Sequence, residues 1–476
     1  MKPENYPTEP AHIWEHFYQI TQIPRPSKSE EAVRQYVIGC AHRSGCDWVS
    51  DREGNLVVLV PATPGREQQD AVIIQNHLDM VTVKQSDKEH DFSVEPLDLM
   101  VVDDWLCADR TTLGADNGLG CAAALALMTD ENVVRPPLEL LFTVDEETGL
   151  GGAMNLDASM LTGSRLLNLD TEDWNQLFVG CAGGAGWKLS NSFDVYPSRA
   201  ADTWKLSISG LAGGHSGIQI NEQLGNSIKL ACQFLLSIGD VRLAEFEAGV
   251  AHNVIPREAF VVFSTENSSP AKLQKLLEDL QQGWKGYLPV ADKALTCTLV
   301  QTDSKPELNE KDSAKLLNLM AAFPHGAIAY SNSAQKDLVD LSVNLALARL
   351  VRGEFLLEAS YRFFNELQSV PLQQSVFALS QAFNLNLQQE TGYPGWEPDR
   401  DSSLLAQGVD LHRRLFNFEP KIKAIHAGLE CGILKGKMPK VDMLSFGPTI
   451  KGAHSPQERL DIATVEPFWR YLINFV

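Results

Sequence analysis

The sequence predicts an α/β chain with a mostly parallel sheet, interrupted by an inserted α+β domain. Three observations carry this reading. Short apolar runs bounded by turn formers recur before residue 170 and alternate with helical patterns, as buried parallel strands do. From residue 186 the strands instead alternate apolar and polar residues, as half-exposed strands do. After residue 395 the buried texture returns.

The elements follow in order. Residues 12–22 have helical apolar spacing, and Ser27 or Ser29 can cap a second helix whose first turn carries Glu30 and Glu31. "NLVVLVPAT" (55–63) and "AVIIQNH" (71–77) read as strands, and Ala- and Leu-rich 118–130 as a buried helix. "LELLFTV" (138–144) and "SRLLNLD" (164–170) read as two more buried strands. In the insert, strands over 203–214, 257–265 and 294–303 are separated by helices over 224–237 and 270–282. A second set follows: strands over 337–350 and 354–364, a helix over 370–383 and strand-like 384–393. The repeat is one of pattern, because the two sets do not match residue by residue. A helix (400–416), a strand (441–449) and a terminal helix (464–475) complete the first domain. The boundaries are therefore 1–185 with 396–476, and 186–395.

A chain of 476 residues is too long for one simple core. Its net charge of −21 argues against a nucleic-acid or anionic-membrane surface, and no basic stripe appears. The eight cysteines are scattered without Cys-x-x-Cys spacing, which suits reduced thiols. The first ten residues, "MKPENYPTEP", contain no apolar signal core, and no run approaches a membrane span. A cytoplasmic protein is the expectation.

Residues 138–152, "LELLFTVDEETGLGG", raise the chemical question. An apolar strand runs into Asp145, Glu146 and Glu147, and adjacent carboxylates raise one another's pKa. Similar polar residues end other segments: His77 and Asp79 in "NHLDM", Asp116 in "TLGADNG", Asp170 in "LLNLD" and His454 in "KGAHSPQE". Ligands of open α/β sheets sit beyond the carboxyl ends of the strands, so these segments can share one crevice. Asp79, Asp116, Asp145, Glu146, Glu147 and Asp170 make six carboxylates, accompanied by only two histidines. Such a group needs a cation. Imidazole with carboxylate is a ligand set for zinc and similar divalent ions, and two ions fit better than one.

Three imitations carry less. Gly118-Leu-Gly120-Cys-Ala-Ala123 matches a dinucleotide fingerprint, but the residues before it are acid-rich rather than strand-like. "GGHSGI" (213–218) lacks the second glycine of a nucleophile elbow. "GCAGGAG" (180–186) reads as a hinge at the domain boundary.

"HLDMV", "TTLGADNG", "DEETGLGGA", "LLNLD", "GGHSG", "HNVIPREA", "HAGLECG" and "GPTIKGAHSP" occur in this order. Together they resemble the dinuclear-zinc peptidases that include aminoacylase, carnosinase and carboxypeptidase G. Within that family they are most similar to the bacterial dipeptidases acting on Xaa-His. The resemblance implies that Asp116 bridges two metal ions, with His77 and Asp170 completing one site and Glu147 and His454 the other. It implies that Asp79 orients His77 and that Glu146 is the general base, moving a proton from water to the leaving amine. The inserted domain becomes a lid, its two sets ferredoxin-like halves. His215 would polarise the scissile carbonyl, and Asn253, Arg362 and the Gly428 amide would hold the substrate's terminal carboxylate. The sequence departs from the family pattern at Asp109-Arg110 and at Asp145, none of them a proposed ligand.

The expected function is metal-dependent hydrolysis of unblocked dipeptides, Xaa-His among them. The expected cofactors are two divalent ions, Zn2+ first and Co2+ or Mn2+ as substitutes. The expected partners are a small peptide substrate and a second copy through the lid, with no nucleic acid and no membrane. Two alternatives stay open: an amidohydrolase of N-acyl amino acids on the same metal site, and a binding homologue without catalysis.

Overall fold

The computed structural model describes residues 2–198, 202–266, 268–331 and 338–476. Packing divides the chain into two units. The first comprises Met1–Cys181, Trp396–Ala424 and Leu429–Val476; the second comprises Ala182–Gly395 and Ile425–Gly428.

The first unit is built on an eight-stranded sheet. Its order is Asp47–Ser50, Leu56–Val60, Leu138–Thr143, Val72–His77, Arg165–Asn168, Asp442–Ser445, Gln176–Cys181 and Lys421–Ile425. The four middle strands, Leu138–Thr143 to Asp442–Ser445, run parallel. Antiparallel pairings flank them, made by the Asp47–Ser50 and Leu56–Val60 hairpin on one side and by Gln176–Cys181 on the other. Val72–His77 and Leu138–Thr143 are buried along their whole length. That explains why both are mostly apolar, since both faces of such a sheet are covered, with Gln75, Asn76 and Glu139 buried among the apolar residues. Helix Ala115–Thr129 is buried from Asn117 to Met128 and packs on helix Ala11–Thr21. Trp14, Phe17, Phe142, Phe446 and Tyr471 belong to this unit's core. Each such buried side chain contributes roughly 1.5–3 kcal/mol of transfer free energy.

A small second sheet matters for position. Its order is Ile450–Lys451, Arg459–Asp461, Trp105–Ala108 and Leu99–Val102. It ties the segment after His454 to the hairpin before Asp116, through the pairing of Arg459–Asp461 with Trp105–Ala108. This hairpin occupies the stretch that the sequence reading took as acid-rich rather than strand-like.

The second unit is an antiparallel nine-stranded sheet with helices Ser227–Ile238, Pro270–Tyr287, Glu310–Ala322 and Glu366–Ala382. Strand Val241–Ala248 pairs with Ala259–Thr265 on one side and with Val339–Val351 on the other. Trp187, Phe234, Phe246, Phe263 and Trp284 lie in its core. Glu354–Phe363 alternates as expected, with Tyr361 and Phe363 buried and Arg362 between them half-buried. The strand expected over 337–350 starts at a position outside the described residues.

One local expectation changes. Helix Glu31–Arg43 begins behind Glu30 without any side-chain cap. Ser27 instead donates to Asp79 Oδ2 at 2.7 Å, because a buried carboxylate has the stronger need of a donor.

Candidate active site

The ends of the parallel strands bring the predicted residues of the first unit together. His77 is the last residue of Val72–His77, and Glu146 and Glu147 follow Leu138–Thr143. Asp170 follows Arg165–Asn168. Asp116 stands in a non-helical kink in the first turn of Ala115–Thr129, with ψ 113°, rather than ahead of the helix. His454 takes a left-handed φ of 61°, rare outside glycine and common where a site over-determines the backbone.

Asp116 is the hinge of the arrangement. His77 Nε2 lies 3.1 Å from Asp116 Oδ1 and 3.3 Å from Asp170 Oδ1. His454 Nε2 lies 3.1 Å from Asp116 Oδ2 and 3.1 Å from Glu147 Oε2. Each ring nitrogen carries at most one hydrogen yet faces two carboxylate oxygens. Asp170 Oδ1 and Glu147 Oε1 are buried without a hydrogen-bond partner among the described residues. The donor set fits divalent ions, because atoms held at ~2.0 Å around a tetrahedral centre lie ~3.3 Å apart. His77, Asp116 and Asp170 form one such group, and Asp116, Glu147 and His454 another. His77, Glu146 and Glu147 form a third.

The electrostatics express the same crowding. Burial opposes charge on His77, but Asp170, Asp116 and Asp79 outweigh it and hold the ring well above the usual histidine range. Hydrogen bonds to Asp116 and Glu147 raise His454 to about 11. Burial works against the Asp116 carboxylate too, yet the bonds from His454 and His77 keep it below the ordinary range. Burial pushes Asp170 up to about 7, against the pull of His77 and with the push of Asp116 and Glu147. Burial also lifts Glu146 well above the carboxylate range; His77 opposes, while Glu147, Asp170 and Glu430 add to the rise.

Asp79 does more than face His77 Nδ1 at 3.3 Å. Its oxygens accept from the backbone amides of Glu146 at 3.0 Å and Glu147 at 3.1 Å. Asp145 stands apart from the group, hydrogen-bonded to Thr148 and 3.9 Å from Lys28. Four further residues emerge only in three dimensions. Glu458 accepts from the amides of Leu113, Gly114, Ala115 and Asp116, fastening the loop that presents Asp116. Buried Arg25 donates to the carbonyls of Leu78, Asp79 and Gly114, a cation brought in from far along the chain. Glu430 accepts from Gln75 and Thr143 beneath the strand ends. Glu172 is raised to about 8 by burial and then by the charge of Asp116. In the sequence Glu172 was one more turn acid in "DTEDW", with no apolar run to mark it.

The second unit gathers the other predicted residues. His215, in the short strand Gly214–His215, pairs with Val254. Its Nδ1 accepts from the amides of Gly217 and Ile218 at 3.2 and 3.1 Å, so a neutral ring carries its proton on Nε2. Asn253 is bound to the same turn, its carbonyl accepting from Ser216 N at 2.9 Å. A Cβ at Gly217 would lie 2.2 Å from the His426 carbonyl oxygen and 3.1 Å from both Arg362 Nε and His215 Cε1, so only a glycine fits there. A Cβ at Gly428 would lie 2.9 Å from the Tyr393 ring. Ser342 Oγ lies 2.7 Å from His426 Nε2; the sequence reading assigned neither residue nor Tyr393 to a site.

A model of peptidase family M20/M25/M40 matches residues 73–476. The chain is 36% identical, over 98% of its length and 97% of the relative's, to the cytosol non-specific dipeptidase of Escherichia coli (strain K12). It is similar to the crystal structure of aminoacylhistidine dipeptidase from Vibrio alginolyticus, with a TM-score of 0.85 and 34% identity, covering 98% of this chain and 96% of that one. Aminopeptidase PepT from Bacillus cereus shares the fold at a TM-score of 0.55 and 13% identity, covering 98% of this chain and 97% of that one. No helix among the described residues is long and apolar enough to cross a membrane.

Proposed function

The chain belongs to peptidase family M20/M25/M40, and from that membership we propose that it is a metal-dependent dipeptidase hydrolysing unblocked dipeptides, Xaa-His among them. The observation that carries the reading is Asp116, whose two oxygens each lie 3.1 Å from a different imidazole. One carboxylate thus belongs to two ligand groups at once, as a bridge between two ions must.

In this reading His77, Asp170 and Asp116 would hold one divalent ion, and Glu147, His454 and Asp116 the second, with zinc as the proposed ion. Ions bound there supply a lowered water pKa and a polarised carbonyl. Glu146 takes the proton of the attacking water and returns it to the leaving amine. Asp79 sets the His77 ring and, through two backbone amides, the position of both glutamates. His215, protonated on Nε2, donates to the carbonyl oxygen as negative charge develops on it. Asn253, Arg362 and the Gly428 amide hold the terminal carboxylate, which makes residues 186–395 the substrate-binding lid. The names of the relatives support the substrate class, since two of them are dipeptidases by name.

The test is a panel of free dipeptides and N-acetyl amino acids, assayed after chelation and return of zinc, cobalt or manganese. Free dipeptides, including alanyl-histidine, should turn over only once metal is restored. Turnover confined to the acylated compounds would overturn the dipeptidase reading.

A further inference from the structure

The proposed carboxylate site contains an aromatic hydroxyl to which neither the resemblance nor the proposed mechanism gives a task. Tyr393 OH accepts from Arg362 Nη1 at 3.0 Å. A phenol oxygen that accepts a hydrogen bond keeps its own hydrogen to donate. Among the described residues no acceptor takes that hydrogen. Among the described residues Arg362 has no carboxylate partner, and its buried Nε has no hydrogen-bond partner. A guanidinium and a phenol joined in this way present donors side by side, which is the complement of a planar carboxylate.

The ring is seated for that task. Tyr393 and Gly184 exchange both backbone hydrogen bonds, at 3.0 and 2.8 Å. A Cβ at Gly184 would stand 3.1 Å from the Tyr393 hydroxyl, and one at Gly428 3.0 Å from it. Both glycines therefore lie against the hydroxyl end of the ring and leave no room for a side chain. The second of them is the residue whose amide is proposed to meet the substrate carboxylate.

We infer that Tyr393 is a substrate-binding residue whose hydroxyl donates to the terminal carboxylate held by Arg362. The inference rests on the dipeptidase reading and deepens it, because it makes the free C-terminal acid a recognised group with two side-chain donors. A peptide whose C-terminus is amidated loses the negative charge and one of the two accepting oxygens, and so cannot satisfy both donors as an anion does.

The test compares the full-length metal-loaded chain with Tyr393→Phe on alanyl-histidine and on alanyl-histidine amide. Phenylalanine keeps the ring between the two glycines and removes only the hydroxyl. The wild type should prefer the free acid. Tyr393→Phe should lose about tenfold or more in kcat/KM on the acid, carried by KM, as expected for a hydrogen bond to a charged group. Its loss on the amide, which carries no charge, should be clearly smaller, so that the preference narrows. An equal loss on both compounds, or no loss on the acid, would overturn the inference while leaving the dipeptidase reading intact. A wild-type chain that cleaves neither compound removes that reading, and the inference with it.

Discussion

Glu458 and Asp79 each use one carboxylate to fix a stretch of backbone that carries proposed ligands. Glu458 spends both oxygens on four consecutive amides, from Leu113 to Asp116. Glu458→Ala should therefore leave buried donors unpaired and cost several kcal/mol, at ~1–3 kcal/mol for each group left unsatisfied. Glu458→Gln, which keeps one accepting oxygen, should cost clearly less. Thermal unfolding of the two variants checks this, and equal losses would refute the account of the clasp. At this scale the sequence was legible where an acid or histidine closed an apolar strand, as at His77, Glu146, Glu147 and Asp170. It was silent on Glu458 and Arg25, because their partners are backbone groups distant along the chain. Ser27 looked like a helix cap, yet its hydroxyl serves Asp79.

Among the elements, strand Val339–Val351 shows how a side chain repairs an irregular ladder. Its register against Glu354–Phe363 shifts between Leu345 and Leu347. The Leu345 amide then finds His325 Nδ1 at 3.3 Å, and the Leu345 carbonyl accepts from Asn226 at 2.8 Å. Burial, with some help from the charge of Lys229, lowers His325 to about 4. The unfolded chain binds a proton near pH 6.5, whereas the folded chain refuses it until about pH 4. The stability that His325 contributes is thus complete above pH 6.5 and is lost as the pH falls towards 4, by at most ~1.4 kcal/mol per pH unit. Denaturant unfolding between pH 7 and 4.5 should show a shallower pH slope in His325→Gln than in the wild type. Parallel slopes would contradict this. The buried parallel strands were readable from their apolar runs. Val241–Ala248 escaped although "VRLAEFEA" alternates, because its charged residues resemble a loop between helix and strand. Helix Glu310–Ala322 escaped for the same reason, with Glu310, Lys311 and Asp312 filling its first turn.

For the whole molecule, the strand texture changes near residue 186, and the second packing unit begins at Ala182. What the sequence could not supply is which distant segments complete one another. The small sheet joining Arg459–Asp461 to Trp105–Ala108 places His454 beside Asp116, and nothing local in either segment announces it. The net charge of −21 likewise hides a local fact, that several of those acids are gathered around two imidazoles. The most direct measurement takes the chelated wild type and Glu146→Ala, titrates both with zinc, and follows bound metal and alanyl-histidine hydrolysis together. Both proteins should bind two zinc ions per chain; the wild type should regain hydrolysis as they bind, and the variant should remain inactive. Hydrolysis by the metal-free wild type, or full activity in Glu146→Ala, would contradict the account.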